Sequence, residues 1–379
     1  MNPLKKVPSG IWCLLIILGI LFYLGAVMGT ANMLNTIMHT AHDLLINTCF
    51  FLMAICVIMG ALSKILSDFG VVSLLERLLR PLMKPLFNLP GAASLGAVMT
   101  FLSDNPAIMT LAGDRKFARY FKKYQFISLT NFGTAFGMGL IVIVFMLSQG
   151  FTWEPLVGLA GAVVGCIVST RIMQRSVLKQ YPQFKNEDAV PASEIDEDWE
   201  EVVEEKKTST FVKVLNSLLD GGKSGVEIGL AIIPGVLLIS TLVMILTFGP
   251  SQDGFYTGAA YEGTALLPWI ADKLGFLFNA LFGFKDPHLV AFPITALGAV
   301  GAALGVVPNF IAQGWVDGNA IAVFTAIGMC WSGYLSTHTA MLDSMGFRNL
   351  TSKAIGAHTV GGLCAGFVAH WLFVLISLI

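Results

Sequence analysis

Apolar runs of about 20 residues recur along this chain, each closed by glycine, proline or a cluster of charge. A bilayer core is crossed by a helix of roughly 20 apolar residues. Seven runs meet that need: 11–31, 43–65, 126–149, 155–173, 225–248, 319–342 and 354–377. Two further runs, 91–113 and 289–313, are interrupted by polar residues and proline. Two segments are amphipathic instead. In 66–88, Leu74, Leu75, Leu78, Leu79 and Leu82 recur at helical spacing, with Glu76, Arg77, Arg80 and Lys84 opposite. In 266–286 the apolar set is Leu266, Leu267, Ile270, Leu274, Leu277 and Leu281, beside Asp272 and Lys273. Such helices are expected to lie along the membrane surface.

Basic residues orient the spans. Lys5 and Lys6 place the N-terminus in the cytoplasm, and 30–43, without Lys or Arg, falls outside. The run 91–113 is then unusual, because both its flanks are basic. Lys64, Arg77, Arg80 and Lys84 precede it, and Arg115, Lys116, Arg119, Lys122 and Lys123 follow. A full crossing would put one flank outside. A re-entrant hairpin keeps both inside, with its turn at Ser103-Asp104-Asn105-Pro106. Non-helical backbone at that depth survives only where protein or water covers it. The run 289–313 is expected to enter from the outer face, turning in the Ala-Leu-Gly-Val-Val-Pro-Asn stretch that ends at Asn309.

One order of parts occurs twice: span, amphipathic segment, hairpin, glycine-rich span, span. The expected fold is therefore all-α and polytopic, with about seven transmembrane helices and two re-entrant helical hairpins arranged as an inverted repeat. Residues 1–42 form a first helix and outer loop, 43–173 the first repeat, 174–224 an acidic cytoplasmic linker, and 225–379 the second repeat. The linker's acids (Glu194, Asp196, Glu197, Asp198, Glu200, Glu201, Glu204 and Glu205) read as a solvated face. Inverted repeats with broken helices are the plan of secondary transporters, whose sites lie near the bilayer midplane.

Composition agrees. Charged residues are 12% of the chain against about 25% in soluble domains, and mean hydropathy is +0.74. A net charge of −1 gives no reason to expect nucleic acid. The 39 glycines suit helices in close approach. The six cysteines sit in apolar runs without a CxxC pair and read as packing or lipid-facing residues. No nucleophile elbow, phosphate loop or His/Cys metal spacing is present, so no enzyme is expected. The expected location is a bacterial inner membrane, with lipid as surroundings.

The candidate chemistry follows from the breaks. Ends of broken helices expose backbone N–H or C=O groups that hold polar solutes or ions. Asp104, a carboxylate near mid-membrane, is a candidate Na+ or proton site by default, and a helix cap otherwise. Ser103 and Asn105 flank it. Thr130, Asn131 and Thr134 stand among Gly133, Gly137 and Gly139 in the next span. The second half offers Asn309 at the expected turn. It also offers Ser332, Ser336, Thr337 and His338 in one dense polar stretch. His338 is a candidate proton carrier or solute donor, with a satisfied core histidine as the alternative. His358 and His370 read as core or interface.

These features resemble the gate, or nucleoside recognition, domain that forms the core of concentrative nucleoside transporters. Similar regions occur in spore maturation proteins, ferrous-iron transporters and YjiH-type inner-membrane proteins. The likeness covers about 43–377. The family's Thr-Glu-Ala-Pro turn stands here as Ser103-Asp104-Asn105-Pro106. Its Cys-Gly-Phe-Ala-Asn run stands as Cys330-Trp331-Ser332-Gly333-Tyr334, followed by Leu335-Ser336. Its Asn-Glu-Phe stands as Pro308-Asn309-Phe310, without the acid. The resemblance implies solute contacts at Ser103, Asp104, Asn105, Asn131, Asn309, Ser332 and Ser336. It implies ion-coupled alternating access for a nucleoside or similar polar solute, with Na+ or H+ as coupling ion, and a homo-oligomer. The alternative is a non-transporting membrane assembly or sensor protein of the same fold.

Overall fold

The computed structural model describes residues 9–190 and 209–379. Lys5, Lys6 and the acidic run 194–205 lie outside the described residues. Within them the chain is helical, and the sole β-feature is an isolated bridge between Lys122 and Asp188.

Among the described residues, six helical runs are long and apolar enough to cross a membrane: 10–28, 30–68, 123–148, 154–180, 210–247 and 348–377. In the first half, α1 (Ser9–Met28) is followed by α2 (Thr30–Asp43), a π-helical turn (Leu44–Cys49) and α3 (Phe50–Asp68). The amphipathic segment is α4 (Val71–Leu82), continued by a π-helical turn at Met83–Phe87. The first hairpin is α5 (Ala93–Leu102) and α6 (Pro106–Gly113). Then come α7 (Arg115–Ala118), α8 (Lys123–Thr134), α9 (Gly139–Ser148) and α10 (Glu154–Gln180). The second half holds α11 (Thr210–Gly235), a π-helical turn (Val236–Ser240) and α12 (Thr241–Thr247). Its amphipathic pair is α13 (Leu266–Lys273) and α14 (Gly275–Phe282). Its hairpin is α15 (Ala291–Ala296) and α16 (Val300–Ala312). The chain ends with α17 (Gly318–Cys330), α18 (Ser336–Ser344) and α19 (Thr351–Ser377).

Several expectations need correction. Residues 30–42 are helix, not loop, because nothing between Thr30 and Asp43 breaks a helix and Met33, Thr36 and Thr40 find buried places. The span expected at 225 starts at Thr210, where Ser209 Oγ accepts from Val212 N. The expected span 319–342 is two helices, broken at 331–335. The span expected at 126–149 is likewise interrupted at 135–138, where Met138 takes a left-handed φ of 57°. Such a backbone costs about 1–3 kcal/mol for a residue with a β-carbon, and neighbours must hold it.

The first hairpin turns where expected. Proline at the first position of α6 starts that helix. At 1.5 Å per residue, the ten residues of α5 reach about 15 Å, half the apolar core of a bilayer. The second hairpin turns elsewhere. Its bend is Leu297-Gly298-Ala299, with Ala299 extended at φ −166° and ψ 139°. Gly298 is packed against Ile239, so a side chain there has no room. Pro308, expected at the tip, lies inside α16, and Asn309 with it.

Two glycine-lined crossings hold the bundle. Gly221, Gly225 and Gly229 of α11 lie on α3, where a β-carbon on Gly225 would overlap the Cys56 carbonyl. Gly161 and Gly165 of α10 meet α19, and Gly158 meets α17; a β-carbon on Gly165 would come 2.7 Å from that of Ala365. In lipid, such close backbone approach stands in for the hydrophobic drive. Gly225→Ala should therefore lower stability by about 1–3 kcal/mol through overpacking, read as a lower melting midpoint in detergent. Gly222→Ala, whose new methyl would meet only Val57 at 3.6 Å, should leave the midpoint unchanged. Equal midpoints for both variants would refute this packing account.

The linker is tied down where it begins. Lys122 pairs with Asp188 at 2.7 Å and Lys123 with Glu187 at 2.8 Å. All six cysteines are free; four are buried, Cys364 is half-buried and Cys13 exposed.

Candidate functional site

Three helix breaks meet at one place: the hairpin turn 103–105, the break 135–138 and the break 331–335. Glycine makes the meeting possible. A β-carbon on Gly137 would overlap the Asn105 amide and the Ser332 hydroxyl. One on Gly333 would fall 2.6 Å from Asn105 Nδ2 and 2.6 Å from Thr337 Oγ1. Asn105 is buried between these two glycines, only 4% exposed. Ser332 Oγ lies 2.9 Å from Thr134 O and 3.3 Å from Asn105 Oδ1. A hydroxyl has one proton, and the shorter contact takes it. The carbonyl freed at the end of α8 is thereby satisfied, and the Asn105 oxygen keeps an open acceptor position.

Asp104 is half-buried. Its Oδ1 accepts from Asn105 N at 2.7 Å, which steadies the turn. Ser103 lines a cleft of about 310 Å³ with Cys56, Ser63, Lys64, Ser67 and Ser224. Ser63 Oγ donates to Leu102 O at 2.7 Å, closing the end of α5.

Behind the breaks lies a buried polar chain. Asn131 Nδ2 donates to Ser169 Oγ at 2.9 Å and Ala354 O at 2.8 Å. Ser169 Oγ is 2.9 Å from His358 Nδ1. Thr134 Oγ1 donates to Thr130 O at 2.6 Å and faces His358 Nε2 at 3.4 Å and His338 Nε2 at 3.5 Å. Thr130 Oγ1 and Asn131 Oδ1 are buried without a hydrogen-bond partner. Trp331 Nε1 donates to His358 O at 3.0 Å, and Tyr334 OH bonds Thr359.

The structure thus gathers Asp104, Asn105, Thr134, Ser332, Thr337 and His338, with Thr130 and Asn131 in the layer behind. Ser103 stands at the edge, on the cleft. Two expected residues are elsewhere. Asn309 faces Tyr261, which bonds Asp43 on the far side of α16. Ser336 is exposed at the first turn of α18, because the break at 331–335 rotates it away from the cluster. Ser169 and His358 were missed. His358 carried a signal, since an ionisable side chain within a span is rarely idle. Ser169 carried none beyond its place in a glycine-rich helix.

Comparison with known proteins bears on the fold that carries this junction. Residues 49–150, from α3 through α9, match the family model described as Gate: nucleoside recognition. With six helices long and apolar enough to cross a membrane among the described residues, the chain is a multi-pass membrane protein, and part of it is similar to the Gate model. The fold is similar to that of CNTnw in an outward-facing state, with TM-score 0.55 and 14% identity over 98% of this chain and 88% of that one. It is similar also to CNTnw in an inward-facing substrate-bound state, with TM-score 0.53 and 15% identity over 97% and 88%. At such identity these likenesses concern the fold alone. Among curated proteins, the uncharacterized BpOF4_10220 of Alkalihalophilus pseudofirmus is 24% identical over 244 residues, 61% of this chain. The chain spans about half that relative's length. The Gate segment contains Asp104, Asn105 and Thr134, whereas Ser332 and both histidines reach the site from outside it.

Proposed function

We propose that this protein binds a nucleoside or similar small polar solute at the junction of the three breaks. It carries the solute across a bacterial inner membrane by ion-coupled alternating access, with its N-terminus in the cytoplasm. One observation supports this most: a hairpin turn bearing Asp104 and Asn105 is seated against two unwound helices in the middle of the bundle. Unwound segments leave backbone groups free for a ligand, and the protein covers them from lipid. The Asn105 amide offers both donor and acceptor, and Asp104 adds a charge for a hydroxyl or a cation.

Asp104 as the seat of a Na+ or a proton, assembly as a homo-oligomer, and 43–173 and 225–379 as inversely oriented repeats belong to the same reading. Uptake of labelled uridine, adenosine and uracil into proteoliposomes, with and without sodium, tests it. Saturable uptake of at least one nucleoside is expected. No uptake of any of the three by folded protein would overturn the reading.

One feature favours the second reading, a membrane assembly or sensor protein that keeps the fold without transport. The second hairpin turn, Leu297-Gly298-Ala299, brings no polar side chain toward a solute. In that case the same screen shows binding without uptake.

A further inference from the structure

We propose that His338, His358 and Thr134 form a site for one exchangeable proton, and that this proton, held here in place of the Asp104 seat named above, is the coupling ion. The second half of that statement rests on the transport reading above; the first does not.

Hydrogen-bond accounting leads to it. The Thr134 hydroxyl proton is committed to Thr130 O at 2.6 Å, so Thr134 offers both rings only lone pairs. Ser169 Oγ accepts from Asn131 Nδ2 and lies 2.9 Å from His358 Nδ1, and we assign its own proton to that nitrogen. His358 then carries its proton on Nε2, directed at Thr134 Oγ1 3.4 Å away. His338 Nδ1 faces the Gly333 carbonyl at 3.3 Å and must be its protonated nitrogen. His338 Nε2 is left bare, opposite the Thr134 oxygen at 3.5 Å. With both rings neutral, acceptor faces acceptor. One proton from water, added to His338 Nε2, completes every contact, and its release to water restores the starting state.

The proton would act where the breaks are joined. His338 spans from Gly333 in one break to Thr134 at the other, and Gly333 packs on the Asn105 amide. Protonation would pin both unwound segments under the hairpin turn. The surroundings suit a proton better than a metal. The rings are 4.4 Å apart, and among the described residues no third His, Cys, Asp or Glu completes a metal-ligand set. The other titratable groups nearby are Cys166 on α10, Cys330 on α17, Tyr334 in the break and Cys364 on α19. Among the described residues, no carboxylate, lysine or arginine hydrogen-bonds either ring. An imidazolium without a counter-charge is costly in so dry a place. The proton must therefore load in a conformation that lets water reach His338. Two states with unequal proton affinity are what coupling requires.

Nitrogen NMR of the full chain, labelled at histidine and held in lipid nanodiscs, tests the site without any solute. Among the titrations of the six histidines, one should vanish in His338→Gln and shift in His358→Gln. Should His338→Gln fail to fold, the titration must still shift in His358→Gln and in the isosteric Thr134→Val. A titration set unchanged by these substitutions overturns the proposal. Coupling is read separately, in proteoliposomes given uridine. Alkalinisation of the medium during uptake supports it, and uptake without proton movement overturns it. Absence of uptake of uridine, adenosine and uracil alike would remove the transport reading and leave the titration to decide the site.

Discussion

Replacing Gly137 with alanine should abolish solute uptake in a protein that still inserts and folds. The new methyl would overlap the Asn105 amide and the Ser332 hydroxyl, so the hairpin turn must withdraw from the break in the next span. A displacement of about 1 Å in a site that depends on fitted geometry costs on the order of 100-fold. Initial rates of labelled uridine uptake in proteoliposomes measure this directly. Gly356→Ala is the control, since nothing lies within 4 Å of its added carbon. A Gly137→Ala rate equal to that of wild type would separate the three-break junction from function.

The second large effect concerns Asp104, whose two roles can be parted. Its Oδ1 caps the turn by accepting from Asn105 N, which an asparagine side chain can also do. In the proposed function its charge serves a solute or an ion, which asparagine cannot. Asp104→Asn should keep the melting midpoint near wild type and lose uptake. Asp104→Ala should lose uptake and about 0.5–2 kcal/mol of stability, as cap removal generally does. If Asp104→Asn transports normally, the carboxylate is a cap and nothing more.

Much of this was legible because lipid imposes strict rules. The membrane-spanning character of the chain, the amphipathic segments and the turn of the first hairpin followed from apolar run length, leucine spacing and the polar Ser103–Pro106. The first turn was readable because polarity and a proline coincide at Ser103–Pro106. The second turn was not, since Leu297-Gly298-Ala299 is apolar, and Pro308 drew attention to a place where the helix continues. The break at 135–138 was hidden inside apolar composition, and the one at 331–335 lies in a polar stretch that reads as side-chain chemistry on a continuous helix. Glycines that unwind a helix look the same in sequence as glycines that pack one, such as Gly161 or Gly225. His358 was undervalued for another reason: 20 residues of chain separate it from His338, and packing alone brings the rings together. The start of α11 at Thr210 was obscured by charge, which hydropathy reads as loop although a Ser209 cap begins a helix there.

The whole account depends on the first hairpin dipping into the membrane and returning to the face it left. Single cysteines at Lys84 and Lys116, in a background without the native six, can be probed with an impermeant thiol reagent on vesicles of known orientation. Both positions are expected to react from the same side. Labelling from opposite sides would show that 91–113 crosses the membrane, and the junction at Asn105 would then have no basis.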